Sequence, residues 1–400
     1  ESIMANVTPP KYVRQILFSL QSRGFAAYLV GGCVRDILLG VRPQDWDICT
    51  AALPEQVLDV FPGSRPTGIK HGTVTVVIGS RSAEVTTFRS EGDYTDHRHP
   101  SSVAFVGDLT TDLMRRDFTM NAMAVSADGL IIDPYGGAED IRRGCIRCVG
   151  APEKRFDEDA LRMLRAFRFS SRLGFEIEPA TLAAIGKKAP LAAGLAAERV
   201  SAEVEKILLT ARPETLNTVI SLGLIDKYLD RRAAPEEEQL HRIAALPKKA
   251  LERWAALCRL LTVSGTIRSA EQFLTALRLD SRSIRCCNDA CEMLESPAPG
   301  SPLEWKKLLR QYGVDSVSCA ARCHDALCGG SSCRALKAVI KSGECFSMKQ
   351  LAVDGDDLAA LGLRGRELGE MLSFLLGYVM EYPDNNRREL LLSLASASEE

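Results

Sequence analysis

The chain has 400 residues, of which 46% are hydrophobic and 26% are charged, and its 50 basic and 52 acidic residues give a formal net charge of −2. This length predicts about two to four domains and excludes a small disulfide-stapled scaffold. The balanced charge excludes a globally basic chain, so any polyanionic partner must be bound by local basic clusters.

Apolar runs in the sequence are too short to span a membrane. The longest uncharged apolar stretches, residues 25–34 and 371–380, are far shorter than the roughly 20 residues that a transmembrane helix needs. Residues 1–15 lack the charged, apolar and small-residue pattern of a secretory signal. We therefore expect a cytoplasmic protein without a membrane-spanning segment.

The 13 cysteines predict reduced thiols. Their number is odd and they lie in apolar or helical surroundings, which argues against a disulfide framework. The densest group, with spacings of four, five and five residues, consists of Cys319, Cys323, Cys328 and Cys333. These gaps are looser than those of compact zinc sites, so we expect buried thiols rather than metal ligands.

Residues 25–150 alternate between strand-like and helix-like segments. Val34–Leu39 and Glu55–Val60 have helical spacing, and Pro54 precedes the second segment at a position typical of a first turn. Runs rich in β-branched residues predict strands at Phe25–Val30, Trp46–Thr50, Thr73–Ile78, Ala83–Phe88, Leu130–Asp133 and Ile146–Val149. This part is therefore predicted to be a mixed α/β unit.

After residue 151 the strand signals almost vanish. Ala, Leu, Glu and Arg recur at intervals of three and four residues through residue 395, which predicts an all-helical second part. The fold class is therefore α+β, with predicted segments at residues 1–150, 151–210, 211–300 and 301–400. Loops on a sheet usually carry chemistry and helical arrays usually hold a large partner, so we expect the catalytic groups in the first part.

Two glycines follow the first predicted strand. Gly31 and Gly32 are followed by Arg35 at the start of a predicted helix. Backbone N–H groups at such a turn approach a phosphate closely, and an arginine binds the phosphate oxygens. The alternative is a tight strand-to-helix turn without a ligand.

Two aspartates lie two residues apart in the next predicted strand. Alternation along the strand would place Asp45 and Asp47 on one face and would bury Trp46 and Ile48 on the other. Mg²⁺ prefers one or two carboxylates plus substrate phosphates, and two such ions about 4 Å apart activate a hydroxyl and hold a leaving pyrophosphate. Glu84 is a candidate third carboxylate, although a glutamate at the start of a strand is usually solvated.

Asp159 and Arg162 lie three residues apart in a strongly helical segment, which predicts that their side chains point the same way. A carboxylate that accepts from an exocyclic amine, beside a guanidinium that donates to a ring nitrogen, matches cytosine and adenine. Uracil and guanine have the reverse polarity and would leave buried groups unpaired. The alternative is a solvated i, i+3 ion pair.

The same segment continues as a basic stripe. Arg165, Arg168 and Arg172 recur at intervals of three and four residues, which suits the phosphates of a nucleotide or an RNA. We expect Phe167 and Phe169, which lie between these arginines, to pack inward rather than to stack on bases.

The segments that carry these residues resemble, in order, the class II tRNA nucleotidyltransferases. The matching segments are GGCVRD, DWDICT, GIKHGTVTV, EVTTFR, RRDFTMNA, IDPYGG and EDALRMLRAFRF. The match covers roughly residues 25–210. The chain length and the later VDGDDL segment are most similar to the bacterial CCA-adding members of the family, which also includes CC-adding enzymes, A-adding enzymes and bacterial poly(A) polymerases.

The resemblance implies a polymerase-β-like nucleotidyltransferase head at residues 1–150. A helical neck at 151–210, a body at 211–300 and a tail at 301–400 would follow and hold the tRNA acceptor end. The implied activity is template-independent addition of CCA to tRNA from CTP and ATP, with Mg²⁺ and release of pyrophosphate. The oligomeric state is left open.

The resemblance also implies roles for individual residues. Asp45 and Asp47 would bind the metal ions, with Glu84 as a further catalytic candidate. Nucleotide-binding roles fall to residues in the glycine turn, in RRDFTMNA and in the ED-containing segment: Gly31, Gly32, Arg35, Arg116, Asp117, Asn121, Asp159, Arg162, Arg165 and Arg168. Without the resemblance, Arg116 and Asp117 would be interpreted as an ordinary surface ion pair.

A long polar connection at residues 90–111 bears on the choice among family members. Loops longer than about 15 residues are usually functional or disordered. In the family this loop is needed for A addition, and its full length here argues against a CC-only enzyme. His99 departs from the family pattern, which has a second arginine before the proline.

Two alternatives are left open. An A-adding enzyme or a poly(A) polymerase would use the same chemistry. An inert RNA-binding or nucleotide-sensing protein would use only the fold, and the Asp45 and Asp47 pair argues against it because a binding module has no need of two facing carboxylates beside phosphates.

Overall fold

The computed structural model describes residues 8–91 and 103–397. The chain divides into two compact units. One extends to Ile207 and includes Thr218–Lys227, and the other comprises Leu208–Asn217 and the residues from Tyr228 onward. No helix within the described ranges is long and apolar enough to cross a bilayer.

The first unit contains a seven-stranded mixed sheet. Its strands and one separate strand pair are β1 (Ala27–Val30), β2 (Asp47–Thr50), β3 (Arg65–Gly68), β4 (Thr73–Ile78), β5 (Arg81–Thr87), β6 (Arg89–Glu91), β7 (Val103–Phe105), β8 (Ala124–Val125) and β9 (Ile131–Ile132). The sheet order is β3-β4-β5-β2-β1-β8-β9, and β6 pairs with β7. The central strand β2 is antiparallel to β1 and parallel to β5.

Five helices accompany this sheet, namely α1 (Lys11–Ser22), α2 (Gly32–Leu38), α3 (Pro54–Val60), α4 (Leu109–Met114) and α5 (Gly137–Arg143). α1 precedes the predicted α/β region and is amphipathic, because its buried residues Val13, Ile16, Leu17 and Leu20 recur at helical spacing. Pro54 occupies the first turn of α3, as predicted.

The remainder of the chain is helical apart from one short strand pair. β10 (Cys145–Ile146) pairs in parallel with β11 (Glu176–Ile177). The prediction of an all-helical second part is therefore wrong at β11, because a strand of two residues leaves no detectable alternation in the sequence. The helices up to residue 221 are α6 (Pro152–Glu158), α7 (Leu161–Leu173), α8 (Pro179–Lys188), α9 (Ala197–Leu208) and α10 (Leu216–Ser221).

The second unit is built from helices. They are α11 (Glu237–His241), α12 (Ala250–Val263), α13 (Ala270–Ala276), α14 (Ser281–Met293), α15 (Pro302–Cys328), α16 (Ser332–Ser342), α17 (Gly355–Ala360), α18 (Gly365–Glu381) and α19 (Arg388–Ala397). The 13 cysteines of the chain are free thiols, and most are buried. Cys323 on α15 donates its thiol to the Glu252 carbonyl of α12 at 3.4 Å, so a cysteine here serves helix packing.

The α+β class is confirmed, and the predicted strands that correspond to β1, β2, β4 and β5 agree with the structure. The prediction omitted β3, because its sequence Arg-Pro-Thr-Gly contains a proline and a glycine, which argue against a strand. The predicted strand Ile146–Val149 is shifted, because only Cys145 and Ile146 pair with β11. The predicted strand Leu130–Asp133 is reduced to Ile131–Ile132.

Candidate active site

A cavity of about 450 Å³ in the first unit brings most of the predicted site residues together. Its lining includes 11 of the 13 predicted residues: Gly31, Gly32, Arg35, Asp47, Arg116, Asp117, Asn121, Asp159, Arg162, Arg165 and Arg168. Arg115, Leu161, Phe169, Arg172 and Arg199 complete it. Asp45 and Glu84 are absent from the lining.

The glycine turn brings the backbone close to a guanidinium. Gly31 precedes α2 with φ of 71°, a left-handed conformation that side chains disfavour. A Cβ at this position would lie 3.0 Å from Nη1 of Arg116 and 4.0 Å from Oδ2 of Asp47. The turn therefore requires glycine, and it places the N-terminus of α2 beside the acidic end of β2.

Asp47 begins β2 and lies opposite Glu84 of β5 in the parallel register. Burial raises the pKa of the Asp47 carboxyl, and the carboxylates of Glu84 and Asp45 raise it further, against the opposing effect of Arg116. Since Arg116 leaves the pKa raised, negative charge at Asp47 is under-compensated, and a cation would stabilise it.

The predicted strand placement of Asp45 is wrong. Asp45 lies in an exposed bend before β2, whereas Trp46 is buried and Asp47 is the first strand residue. The bend, rather than strand alternation, sets the direction of Asp45. Glu84 lies inside β5 rather than at its start, and its side chain is exposed.

These acids fit a hard cation that takes its other ligands from a substrate. No group of three or more His, Cys, Asp and Glu side chains within residues 8–91 and 103–397 is placed to hold a metal ion by itself. Asp45 and Asp47 supply oxygen donors, and Asp47 has a raised pKa. Two carboxylates completed by phosphate oxygens are a donor set that suits Mg²⁺.

A buried hydrogen-bond chain links α2 to α7. Nη1 of Arg35 donates to Oδ1 of Asn121 at 2.8 Å, and Nδ2 of Asn121 donates to Asp117 at 3.1 Å. Asp117 accepts from Nε of Arg165 at 2.8 Å. Burial alone would raise the pKa of Asp117, but the Arg165 guanidinium and the Asn121 amide lower it to about 2.

The interpretation of Arg116 and Asp117 as a surface ion pair is wrong. Asp117 binds Arg165, whereas Arg116 donates to Oδ2 of Asp112 at 3.2 Å. Asp112 is fully buried and also accepts from Arg115 at 3.1 Å and from the backbone amide of Arg89 at 3.2 Å. The sequence analysis missed Asp112, although Arg115 and Arg116 follow it at i+3 and i+4 spacing, a local signal of the two ion pairs.

Asp159 and Arg162 are not on one helix, so the predicted geometry is wrong although both line the cavity. α6 ends at Glu158, Asp159 is extended, and α7 begins at Leu161. Asp159 accepts two hydrogen bonds, at 2.8 and 3.3 Å, from the guanidinium of Arg199 on α9. No local pattern identified Arg199, which lies 40 residues from Asp159.

The Arg162 guanidinium is buried and fixed from several sides. Nη1 donates to Glu158 at 2.6 Å and to the Arg155 carbonyl at 3.2 Å. Nη2 donates to the Arg115 carbonyl at 2.9 Å. These contacts hold the guanidinium in one orientation at the cavity wall.

The basic stripe lies on α7 as predicted. Arg168 donates to Glu203 on α9 at 3.1 Å, and Arg172 lies 3.8 Å from Asp36. Burial lowers the pKa of Arg168, and the neighbouring charge of Arg165 lowers it further. Phe167 and Phe169 are both buried, as predicted.

Residues 90–111 are more ordered at their ends than the sequence predicts. β6 pairs with β7 from Arg89 opposite Phe105 to Glu91 opposite Val103. Asp108 caps α4 by accepting from the amide of Thr111 at 2.9 Å. The expectation of one unstructured connection is therefore wrong at these ends. Residues 92–102, including His99, lie outside the described residues.

Comparison with known proteins identifies two regions of the chain. Residues 27–147 match the family described as "Poly A polymerase head domain". Residues 174–229 match "Probable RNA and SrmB- binding site of polymerase A". The first region contains the glycine turn and the acidic end of β2.

Similarity to curated proteins and to a solved structure extends over most of the chain. A CCA-adding enzyme of Geobacillus kaustophilus (strain HTA426) is 44% identical over 79% of this chain and 78% of that protein. A CCA-adding enzyme of Limosilactobacillus fermentum is 36% identical over 99% and 98%. The crystal structure of the Bacillus stearothermophilus CCA-adding enzyme in complex with CTP has a TM-score of 0.83 at 36% identity, covering 98% of both chains.

Proposed function

The chain belongs to the family of CCA-adding enzymes, and on that premise we propose that it adds C, C and A to the 3′ end of tRNA. It takes the nucleotides from CTP and ATP, releases pyrophosphate and uses no nucleic-acid template. The observation that carries this proposal is the cavity where the glycine turn, Asp47 and the pair Asp159 and Arg162 converge.

The triphosphate site is assigned to the glycine turn and the arginines of the cavity. The N-terminus of α2 presents backbone N–H groups after Gly31, and a helix N-terminus attracts anions. Arg35 and Arg165 are held by Asn121 and Asp117. A guanidinium that is already fixed loses less side-chain entropy when it binds phosphate, so this network favours binding.

Base choice is assigned to Asp159 and Arg162, each of which is held in place by other residues. Arg199 leaves lone pairs on the Asp159 carboxylate to accept from the amine of cytosine or adenine. Arg162 is fixed by Glu158 and two backbone carbonyls, so its guanidinium lines the cavity in a set orientation. A fixed pair of this kind takes the place of a nucleic-acid template.

Asp45 and Asp47 are assigned as the Mg²⁺ ligands, with Glu84 as a further catalytic candidate. Mg²⁺ at this place supplies Lewis-acid activation of the attacking 3′-hydroxyl and stabilisation of the leaving pyrophosphate. The raised pKa of Asp47 supports this assignment, because it reflects negative charge that Arg116 compensates only in part. Arg116 lies beside the glycine turn and Asp47, where its charge is placed to contact the triphosphate.

We assign the tRNA acceptor end to the helical part of the chain. The proposed segments are a head at 1–150, a neck at 151–210, a body at 211–300 and a tail at 301–400. We also place the enzyme in the cytoplasm, where the reducing environment matches its 13 free thiols.

One assay tests the activity. Purified protein is incubated with tRNA that ends at the discriminator base, with tRNA that ends in CC and with an unrelated RNA, and each labelled nucleotide is supplied singly and together. We expect CC addition from CTP alone and completion to CCA with ATP. If the protein adds A to the CC-ended tRNA but adds no C to tRNA that ends at the discriminator base, it is an A-adding enzyme. Long A tails on any RNA would indicate a poly(A) polymerase.

A further inference from the structure

One aromatic ring in the cavity contacts three positive charges. The guanidinium carbons of Arg168, Arg35 and Arg165 lie 4.4, 5.1 and 5.4 Å from the centre of the Phe169 ring. The contacts are therefore concentrated at one ring of the nucleotide cavity.

Three guanidinium groups in so small a volume repel one another. Burial lowers the pKa of Arg168, and the charges of Arg165 and Arg35 lower it further. One carboxylate offsets each guanidinium: Asp36 lies 2.8 Å from Arg35, Asp117 lies 2.7 Å from Arg165, and Glu203 lies 3.1 Å from Arg168. The shared neighbour of all three cations is Phe169, whose ring face is negative.

The ring itself is held firmly. Phe169 is 2% exposed and packs edge-on against Phe118, with ring centres 5.9 Å apart. Because Phe169 belongs to α7 and Phe118 to the segment after α4, the ring is fixed by two parts of the chain. It can therefore help to set the positions of the arginine side chains around it.

We propose that Phe169 is a positioning residue, whose ring holds Arg35, Arg165 and Arg168 together so that they bind the triphosphate shared by CTP and ATP. This inference rests on the proposed function, because it takes the ligand of these arginines to be the incoming nucleotide. The proposed function assigns base selection to Asp159 and Arg162, so the ring is not expected to select the base. Its loss weakens binding of CTP and ATP alike.

The sharpest test changes the electrostatics of the ring and keeps its shape. Phenylalanines with one, two, three and five fluorine atoms are incorporated at position 169, because successive fluorines weaken the negative ring face. Binding of CTP, ATP and inorganic tripolyphosphate is measured by calorimetry without tRNA. We expect the Kd of all three ligands to rise in step with fluorination, to roughly tenfold at the end of the series. The ratio of CTP to UTP incorporation stays constant.

Leucine substitutions provide a matched control. Phe167 lies on the same helix and is 3% exposed, and it makes none of the three guanidinium contacts. Phe169→Leu should weaken tripolyphosphate binding severalfold and Phe167→Leu should not, at comparable melting temperatures. Equal effects of the two leucine variants, together with a flat fluorine series, would overturn the inference.

Two further readouts separate the inference from the proposed function. If tRNA affinity follows fluorination and CTP affinity does not, the arginines bind RNA and the inference is wrong. If the wild-type protein binds CTP but adds no nucleotide to tRNA, the proposed function fails. The fluorine series then still measures how the ring affects triphosphate binding.

Discussion

At the residue scale, three buried or partly buried carboxylates of the first unit fall into two classes. Asp112 and Asp117 are buried against arginines, and their pKa values are lowered despite burial. Asp47 is mostly buried beside two other acids, and its pKa is raised. Only the second class stores unfavourable charge in the ligand-free protein, and that is the condition expected of residues that bind a cation.

Replacing Asp47 tests this difference. Asp47→Asn should abolish addition of both C and A and leave tRNA affinity within a few-fold, because the acid serves the metal rather than the RNA. Without Mg²⁺ the variant should melt at a higher temperature than the wild type, because a repelled buried charge is removed. Differential scanning fluorimetry with and without Mg²⁺ checks both points.

The exposed acid Asp59 on α3 provides the control for this experiment. Asp59→Asn should retain wild-type addition and the wild-type melting shift with Mg²⁺. Normal turnover by the Asp47 variant would remove Asp47 from the catalytic assignment, and a lower melting temperature without metal would remove the charge argument.

Arg199 is the residue that most changes the account of base choice. Asp159 lies outside a helix, and the two hydrogen bonds that Arg199 donates to its carboxylate hold that side chain in place. Arg199→Ala should release Asp159 and reduce discrimination against UTP and GTP by about 5- to 150-fold, the equivalent of about 1–3 kcal/mol from one buried hydrogen-bonding group. Single-nucleotide kcat/KM values for CTP and UTP measure this loss.

Arg172→Ala is the matched control, since Arg172 lines the same cavity and is half exposed. It should change KM without changing the ratio of CTP to UTP. If Arg199→Ala keeps full selectivity, then Asp159 holds its position through the backbone alone.

Exchanging Asp159 and Arg162 would disturb more contacts than the sequence suggests. Asp159→Arg would place a second guanidinium beside Arg199, and Arg162→Asp would place a carboxylate beside Glu158. Such a double variant is therefore expected to lose activity before it gains UTP and GTP. Arg162→Ala alone should lower discrimination first, because Asp159 still accepts from an amine.

The sequence predicted residues whose signal is local and missed those whose partners are distant. Gly31, Gly32 and Arg35 are neighbours in sequence, so their grouping at one end of the cavity could be predicted. Arg199 acts through an ion pair with Asp159, which lies 40 positions away. An ion pair across such a distance leaves no periodic pattern, and only the fold brings the two residues together.

At the scale of elements, the two ends of the connection between β6 and α4 have a defined structure. β6 and β7 form a strand pair, and Asp112 of α4 accepts from the amide at the start of β6. Both ends are thus tied to the segment that carries Arg116.

Deleting part of residues 93–102 while leaving β7 intact should reduce A addition far more than C addition. The switch to a larger base requires a movable element to reshape the site, and the strand pair keeps the remaining structure in place. Single-turnover rates of C addition and of A addition to matched tRNAs measure the two effects.

A second deletion that also removes Val103–Phe105 serves for comparison, because it destroys the pairing with β6. It should reduce both steps alike. Equal losses from the shorter deletion would indicate a structural role only.

Helix boundaries show where sequence patterns mislead at this scale. The segment at 158–169 looks like one helix, yet Asp159 is extended and separates α6 from α7. The Asp159 carboxylate accepts from the Leu161 amide at 3.0 Å, so it binds the start of α7. Aspartate favours such a local bond over a helix interior, and residue spacing alone does not reveal it.

At the scale of the whole molecule, acidic pH should act on stability through the same carboxylates. The pKa of Asp117 is about 2 in the folded protein, below the ordinary value, so this group stabilises the fold fully above about pH 4 and loses the effect as the pH falls toward 2. The difference corresponds to about 2 kcal/mol at neutral pH. Asp112, with a lowered pKa, acts in the same direction.

Asp47 affects the pH dependence of stability in the opposite direction, because its pKa in the folded protein is raised. The folded state then binds its proton more readily than the unfolded state, so stability rises as the pH falls through that pKa.

Without Mg²⁺, thermal melts from pH 7 to pH 2 should therefore show a melting temperature that first rises and then falls steeply below pH 4. Asp47→Asn should remove the rise, and Asp117→Asn should lower the neutral plateau and flatten the fall. Adding Mg²⁺ at neutral pH should remove the rise in the wild type alone, since the cation takes the place of the proton on Asp47. A wild-type profile that falls monotonically from pH 7 would contradict this assignment of charge.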